Sequence, residues 1–318
     1  MKPLLRPGTT VVRRTVHTLQ VGTLPGSTIL VDDLPGSATV LRLADGTRDL
    51  PTLAAVAGRP LPEIADAVRR LRACGAVVDA QEWDEIGGEA LTTEARALVA
   101  ANAPANDVVR RLHARGASSV EIVTDVPGRP LAARLHRILH ESGLRATIGP
   151  VADPDLVVVL SSGPCPREAF DVLAGAGVAH LPVVTECDTA RIGPLVRPGS
   201  SPCVRCDDLD RTGGEPGWPL VLEQLGQPLA RSTPLHPHGW DAASGYALAL
   251  HVATQVLAYA DRVQAAAEGA VAVVSARGGA PTYYPVALHP DCACQILASE
   301  TSGADGSGGV ARGVRMTA

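Results

Sequence analysis

Apolar positions fall into two regimes along the chain. In the first 80 residues they come in short runs and helix-spaced sets. TVHTLQVG at 16–23 and TILVD at 28–32 read as the strands of a hairpin around the turn Leu24-Pro25-Gly26. Three helical segments follow, at 38–43, 50–57 and 61–71, the last with Ile64, Ala67, Val68 and Leu71 recurring at helical spacing. Gly75 stops that helix, and AVVDA at 76–80 reads as another strand. Small β segments plus three helices in so short a stretch predict a winged-helix-like module over residues 1–80. The acidic QEWDEIGGEA at 81–90 reads as a linker, followed by helical runs at 94–101 and 107–115, so residues 81–115 are expected to connect two domains.

Beyond residue 116 the pattern becomes an alternation. SVEIVT at 119–124, RATIG at 145–149, LVVVL at 156–160 and LPVVT at 181–185 read as strands, with helices at 131–142 and 167–174 between them. This is the βαβ order of a mostly parallel, doubly wound sheet, a Rossmann-like architecture. An Ala/Leu-rich helix at 242–265 and strands at 270–275 and 283–288 complete a domain assigned to 116–298. The Gly/Ser-rich stretch 299–318 reads as a flexible tail.

Composition narrows the function. The net charge of −5 with 19% charged residues offers no basic surface for nucleic acid. Apolar runs such as VVVL at 157–160 are far below the roughly 20 residues a membrane helix requires, and the first residues lack the apolar core of a signal peptide, so a cytoplasmic protein is expected. Lys2 is the only lysine in the sequence, which leaves no positioned lysine for a mechanism that needs one.

Four of the seven cysteines come in close pairs, Cys203-x-x-Cys206 and Cys292-x-Cys294. Each pair can offer two thiolates from a tight turn, and together they fill the shell of a tetrahedral Zn²⁺, so a structural zinc is expected. A redox C-x-x-C and inert thiols are the alternatives; a redox pair would be expected at a helix start after a strand, and this one follows Pro-Gly-Ser-Ser-Pro. His289 is a possible substitute ligand, and His236 and His238 fall in a loop. Cys74, Cys165 and Cys187 read as single, apolar-flanked thiols, with Cys187 the best placed for reactivity because it follows a strand.

A nucleotide-binding sheet of this type needs a glycine-rich first turn, so that phosphate can approach bare N–H groups. The turn here, Thr124 to Pro130, holds one glycine, two prolines that donate no N–H, and the anionic Asp125. Gly128 and Arg129 in this turn, and Arg167 after the second turn SSGPCPRE at 161–168, are the only candidates for holding an anion, and ATP is not expected to bind.

The run Ile192-Gly193-Pro194-Leu195-Val196-Arg197-Pro198-Gly199, then Pro202-Cys203-x-x-Cys206 with Asp210-Arg211 and Trp218-Pro219, and finally His289-Pro290-x-Cys292-x-Cys294, resembles the ThiF-like proteins of thiazole/oxazole-modified peptide biosynthesis. These are leader-peptide-binding or cyclodehydratase partner proteins related to ubiquitin-activating-type adenylyltransferases, and the resemblance spans roughly residues 16 to 296. It implies an N-terminal winged-helix-like peptide recognition module followed by a degenerate ThiF-type domain with a structural zinc. It further implies a non-catalytic scaffold that presents a ribosomally made precursor to a YcaO-type cyclodehydratase, and self-association as a homodimer. By analogy the leader would add a strand at Thr28, Ile29, Leu30 and Val31 and lie against the helix carrying Ile64, Val68 and Leu71. The alternatives are an active ThiF-type adenylyltransferase acting on a peptide or carrier-protein C-terminus, and a descendant with a regulatory binding role. The superfamily's adenylyltransferases need a glycine-rich turn and a lysine, and this chain departs from them at both points.

Overall fold

A computed structural model of the chain describes residues 1–26, 28–81, 97, 105–163, 165–225 and 240–294. The expected helix at 94–101, His236, His238 and the tail from Ser299 lie outside the described residues, apart from residue 97. The chain divides into two compact units, Met1–Leu112 and His113–Ala318.

In the first unit, β1 (Pro3–Leu5) pairs antiparallel with β5 (Val77–Asp79), while β2 (Val11–Arg13), β3 (Thr18–Val21) and β4 (Ile29–Asp32) form an antiparallel sheet in the order β2-β3-β4. The hairpin read from the sequence is therefore the β3-β4 pair, in register Val21 to Ile29. β1 and β2 carry only three residues each, too few for an alternating pattern to register. Helices α1 (Ser37–Leu43), α2 (Leu50–Ala57) and α3 (Leu61–Ala73) lie between β4 and β5. Local chemistry sets α2: the Asp49 carboxylate accepts the Thr52 N–H at 3.0 Å, and Gly58 stops the helix at φ 62°, a conformation that favours glycine. Helix α3 presents Ile64, Ala67, Val68 and Leu71 inward at helical spacing, each at most 2% exposed, against Val21, Val40 and Leu53.

After α4 (Ala105–Ala117), the second unit forms a seven-stranded mixed sheet in the order β12-β11-β10-β9-β8-β6-β7. Its strands are β6 (Ser119–Thr124), β7 (Arg145–Ile148), β8 (Leu156–Ser162), β9 (Ala179–Glu186), β10 (Thr189–Ile192), β11 (Ala270–Ser275) and β12 (Thr282–Pro285). β6 to β9 are mutually parallel and the remaining pairings are antiparallel. This is a mixed, Rossmann-like α/β arrangement.

Helices α5 (Arg129–Glu141) and α9 (Ala242–Ala260) share one core with Val120, Ile122, Val158 and Leu181. Val157 and Val159 point into a second core with Phe170 of α6 (Arg167–Gly175) and Val204 of α7 (Val204–Gly214). Successive residues of β8 thus face opposite cores, which is why this strand reads as an unbroken apolar run. Helix α8 (Trp218–Leu225) follows α7.

The long helix ends at Ala260, short of the 265 expected from composition. Asp261 caps it while its buried carboxylate takes both Nε and Nη2 of Arg115, at 2.6 and 2.8 Å, and Arg262 then turns to φ 57°. No described helix is long and apolar enough to cross a membrane.

Candidate metal centre and switch-point crevice

The stretch after β10 is tied down by backbone pairing. His180 and Val196 exchange N–H···O bonds at 3.0 and 2.8 Å, and the Leu195 N–H reaches the Ala267 carbonyl at 2.8 Å. Ser201 Oγ accepts the Arg197 N–H at 2.7 Å, and two residues later Cys203 serves as the N-cap of α7, with Cys206 in its first turn. From the other end of the unit, Val286 N–H bonds Gly269 O at 2.8 Å, and a turn closed by Cys292 N–H on His289 O at 3.0 Å delivers Cys292 and Cys294. The sequence suggested no helix at 204–214 because VRCDDLDRTGG has little apolar periodicity.

All four sulfurs lie within 4.8 Å of one another. Sγ of Cys203 is 3.8 Å from that of Cys206 and 3.5 Å from that of Cys292, and Cys206 and Cys294 are 3.6 Å apart. Disulfides need about 2.05 Å, so these are four free thiols. A tetrahedral ion with thiolate bonds of about 2.3 Å sets its sulfurs roughly 3.8 Å apart, and the cluster fits such an ion. The C-x-x-C does stand at a helix start, as a redox pair would; what distinguishes it is the second cysteine pair closing over it.

Cys203, Cys206 and Cys292 are buried and Cys294 is half-buried. Burial, then the neighbouring sulfurs, pushes the Cys203 thiol up to about 12, whereas at Cys206 the desolvation of burial is outweighed by hydrogen bonds, the His289 backbone N–H first, and its thiol is held below the usual range. His289 does not join the ligands by its ring: Nδ1 accepts the Asp291 N–H at 3.2 Å, and its backbone N–H donates to Cys206 Sγ at 3.5 Å. Such a bond supports a thiolate from outside the coordination shell.

Helix α7 is clamped by ion pairs that the motif alone did not reveal. Arg167 donates Nε and Nη2 to the two Asp208 oxygens at 2.7 and 2.9 Å, and the Trp218 indole N–H adds a third bond to Asp208 at 3.1 Å. Arg191 pairs with Asp207 at 2.5 Å and Arg205 with Asp171 at 2.5 Å. Arg167, a sequence candidate for holding an anion, is thus committed to Asp208. The alternating Arg and Asp residues of VRCDDLD were the available signal, but charge alone does not reveal which partners they meet.

The other sequence candidates for an anion site flank the switch point, between β6 and β8, where the sheet changes winding direction. There Asp125, one residue past β6, uses Oδ1 to accept the Gly128 N–H at 2.7 Å and Oδ2 to accept the Ser162 N–H at 2.7 Å; Ser162 Oγ donates to Oδ1 at 3.2 Å. A Cβ at Gly128 would collide with Thr124 Oγ1 and come within 2.8 Å of Asp125 Oδ1. Glycine is needed there for the carboxylate's approach. Arg129 is an exposed first residue of α5.

In the first unit, β4 pairs with β3 on one side only, and no strand among the described residues borders its other edge. Leu30 is 54% exposed, Val31 is buried, and Thr28 and Ile29 are half-buried, with Thr28 Oγ1 bonded to Leu24 O at 3.1 Å. Ile64, Val68 and Leu71 are buried and hold α3 to the unit's core, so they present no open surface.

No protein-family model and no curated protein sequence matches the chain. Solved structures do. One is a heterocyclase in complex with substrate and cofactor (14% identity, TM-score 0.66), and another is the heterocyclase TruD (15% identity, TM-score 0.66). They match over 90% and 92% of this chain, which spans only 38% and 42% of their own lengths. A third is E. coli MccB with ATP, 13% identical at a TM-score of 0.64, over 93% of this chain and 100% of MccB. Across nearly its whole length, this chain has the fold that these heterocyclases share with MccB.

Proposed function

We propose that this protein is a non-catalytic leader-peptide-binding scaffold that presents a ribosomally made precursor to a YcaO-type cyclodehydratase. The observation that carries the reading is the likeness to heterocyclases over 90% of the chain, one of them captured with substrate and cofactor, and to E. coli MccB captured with MccA. The first unit is read as a winged-helix-like module in which β4 supplies an edge that no strand among the described residues borders. An extended peptide there gains main-chain hydrogen bonds and seats alternate side chains beside Leu30, which is β-augmentation. The second unit serves as a scaffold closed by a structural Zn²⁺ on Cys203, Cys206, Cys292 and Cys294, because four thiolates leave the ion no open position for chemistry. A cytoplasmic homodimer completes the proposal.

Leu30→Asp tests the groove without disturbing the core, since this side chain is mostly exposed. Calorimetry with the cognate precursor peptide is expected to show at least a tenfold weaker Kd, equivalent to about 1.4 kcal/mol. Unchanged affinity in the folded variant would place the peptide elsewhere.

A second reading, adenylyl transfer, is favoured by the full-length likeness to MccB captured with ATP. Against it stand the filled switch-point crevice and the single lysine at position 2. ATP binding by the unaltered chain would favour it.

A further inference from the structure

We infer that Asp125 is the residue that closes the switch-point crevice to phosphorylated ligands, its carboxylate holding from within the chain the backbone N–H groups that a ligand phosphate would need. The inference rests on the reading of the second unit as a scaffold that binds no nucleotide, and it assigns that property to one side chain.

Sheets of this kind bind phosphate outside the carboxyl ends of the strands at the switch point, using N–H groups of the strand-to-helix turns and the positive end of the following helix. On the β6 side, the Gly128 N–H is 2.7 Å from Asp125 Oδ1, the Arg129 N–H is turned to Val126 O at 3.3 Å, and Pro130 has none to give. On the β8 side, the Ser162 N–H is 2.7 Å from Asp125 Oδ2 and the Gly163 N–H is bonded to Thr185 O at 2.8 Å. The Gly128 and Ser162 N–H groups, one from each turn, are therefore held by the same carboxylate, which bridges the two turns as a phosphate group would.

The same carboxylate places a negative charge where the ligand's charge would sit. Arg167, the cation that follows the β8 turn, is spent on Asp208, and Arg129, which follows the β6 turn, is exposed at the start of α5. Gly128 fits this account: its missing Cβ makes room for Asp125 Oδ1.

The test uses the full chain with its metal bound, titrated calorimetrically with inorganic pyrophosphate and with ATP. The unaltered protein is expected to bind neither. Asp125→Gly, which removes the carboxylate and frees both donors, is expected to bind pyrophosphate at least tenfold more tightly than the unaltered protein. Asp125→Asn, which keeps the volume and loses the charge, is expected to fall between the two, and it serves as the readout if the glycine variant does not fold. If the unaltered chain is silent while neither folded variant gains affinity, Asp125 is not what closes the crevice, and the scaffold reading stands. If the unaltered chain binds ATP, the scaffold reading itself falls and the inference falls with it.

Discussion

The two polar clusters of the second unit solve opposite problems. At the switch point the polar groups are matched inside the chain: two backbone N–H donors and one hydroxyl meet the two oxygens of Asp125. At the cysteine cluster they are not matched: four sulfurs within 4.8 Å of one another are largely buried, and holding all four as thiolates together requires a cation that the chain does not supply. The arginines around it, Arg167, Arg191 and Arg205, are each paired with an aspartate. A polar cluster that completes itself has no use for a ligand, and one left incomplete requires a ligand to hold its shape. The topology of the sheet points toward the first place, and the chemistry points to the second.

Metal loss carries the largest expected effect. Elemental analysis is expected to find about one zinc per chain. Cys206→Ser removes a ligand that is fully buried, and is expected to abolish the metal and destabilise the second unit by on the order of 4 kcal/mol or more. For a unit of this size that lowers the melting temperature by roughly 10 °C. A chelator should give the same shift in the unaltered protein and no further shift in the variant. A metal-free protein that melts at the unaltered temperature would put the cluster on the same self-sufficient footing as the switch point.

The ion pairs around α7 come next. Asp208→Asn leaves Arg167 facing an uncharged amide while the Trp218 indole keeps an acceptor. Because Asp208 is 5% exposed but the arginine is partly solvated, the expected loss is about 2 kcal/mol, below the full penalty for a broken buried pair. Urea unfolding gives the loss, and zinc content tests its meaning. Retained zinc marks Asp208 as a clamp on the helix, whereas zinc lost together with stability would make the clamp part of the metal site.

How much of this was legible in the sequence depended on how far apart the deciding atoms lie. Helix α2 was read to its end residues, because Asp49, Pro51 and Gly58 are local punctuation. Strands β6 and β11 were read residue for residue, since their apolar side chains feed the cores of a single sheet. The cysteine set was legible from spacing, as thiol pairs in tight turns have few other uses. Helix α7 was not, because what holds it is a set of pairings reaching from position 208 back to 167 and from 207 back to 191. The role of Asp125 was half legible: its charge in the turn could be read, but its bond to Ser162, 37 residues on, could not. The buried face of α3 was read correctly as a periodic stripe, yet a stripe does not say whether it meets a core or a ligand, and here it meets the core.

The smallest effect is expected at the switch point itself. In Asp125→Asn, one amide oxygen can keep the Gly128 or the Ser162 N–H, but the amide nitrogen is a donor and cannot accept the other. One charge-assisted bond is lost and one backbone N–H is left without an acceptor in the crevice, a loss of about 1–2 kcal/mol. That loss should be independent of metal: the same difference between Asp125→Asn and the unaltered chain is expected with zinc bound and after chelation, because sites that share no partners contribute additively. If chelation erased the difference, the crevice and the cysteine cluster would belong to one cooperative element, and the contrast between a self-completed cluster and an incomplete one would collapse into a single dependence on the ion.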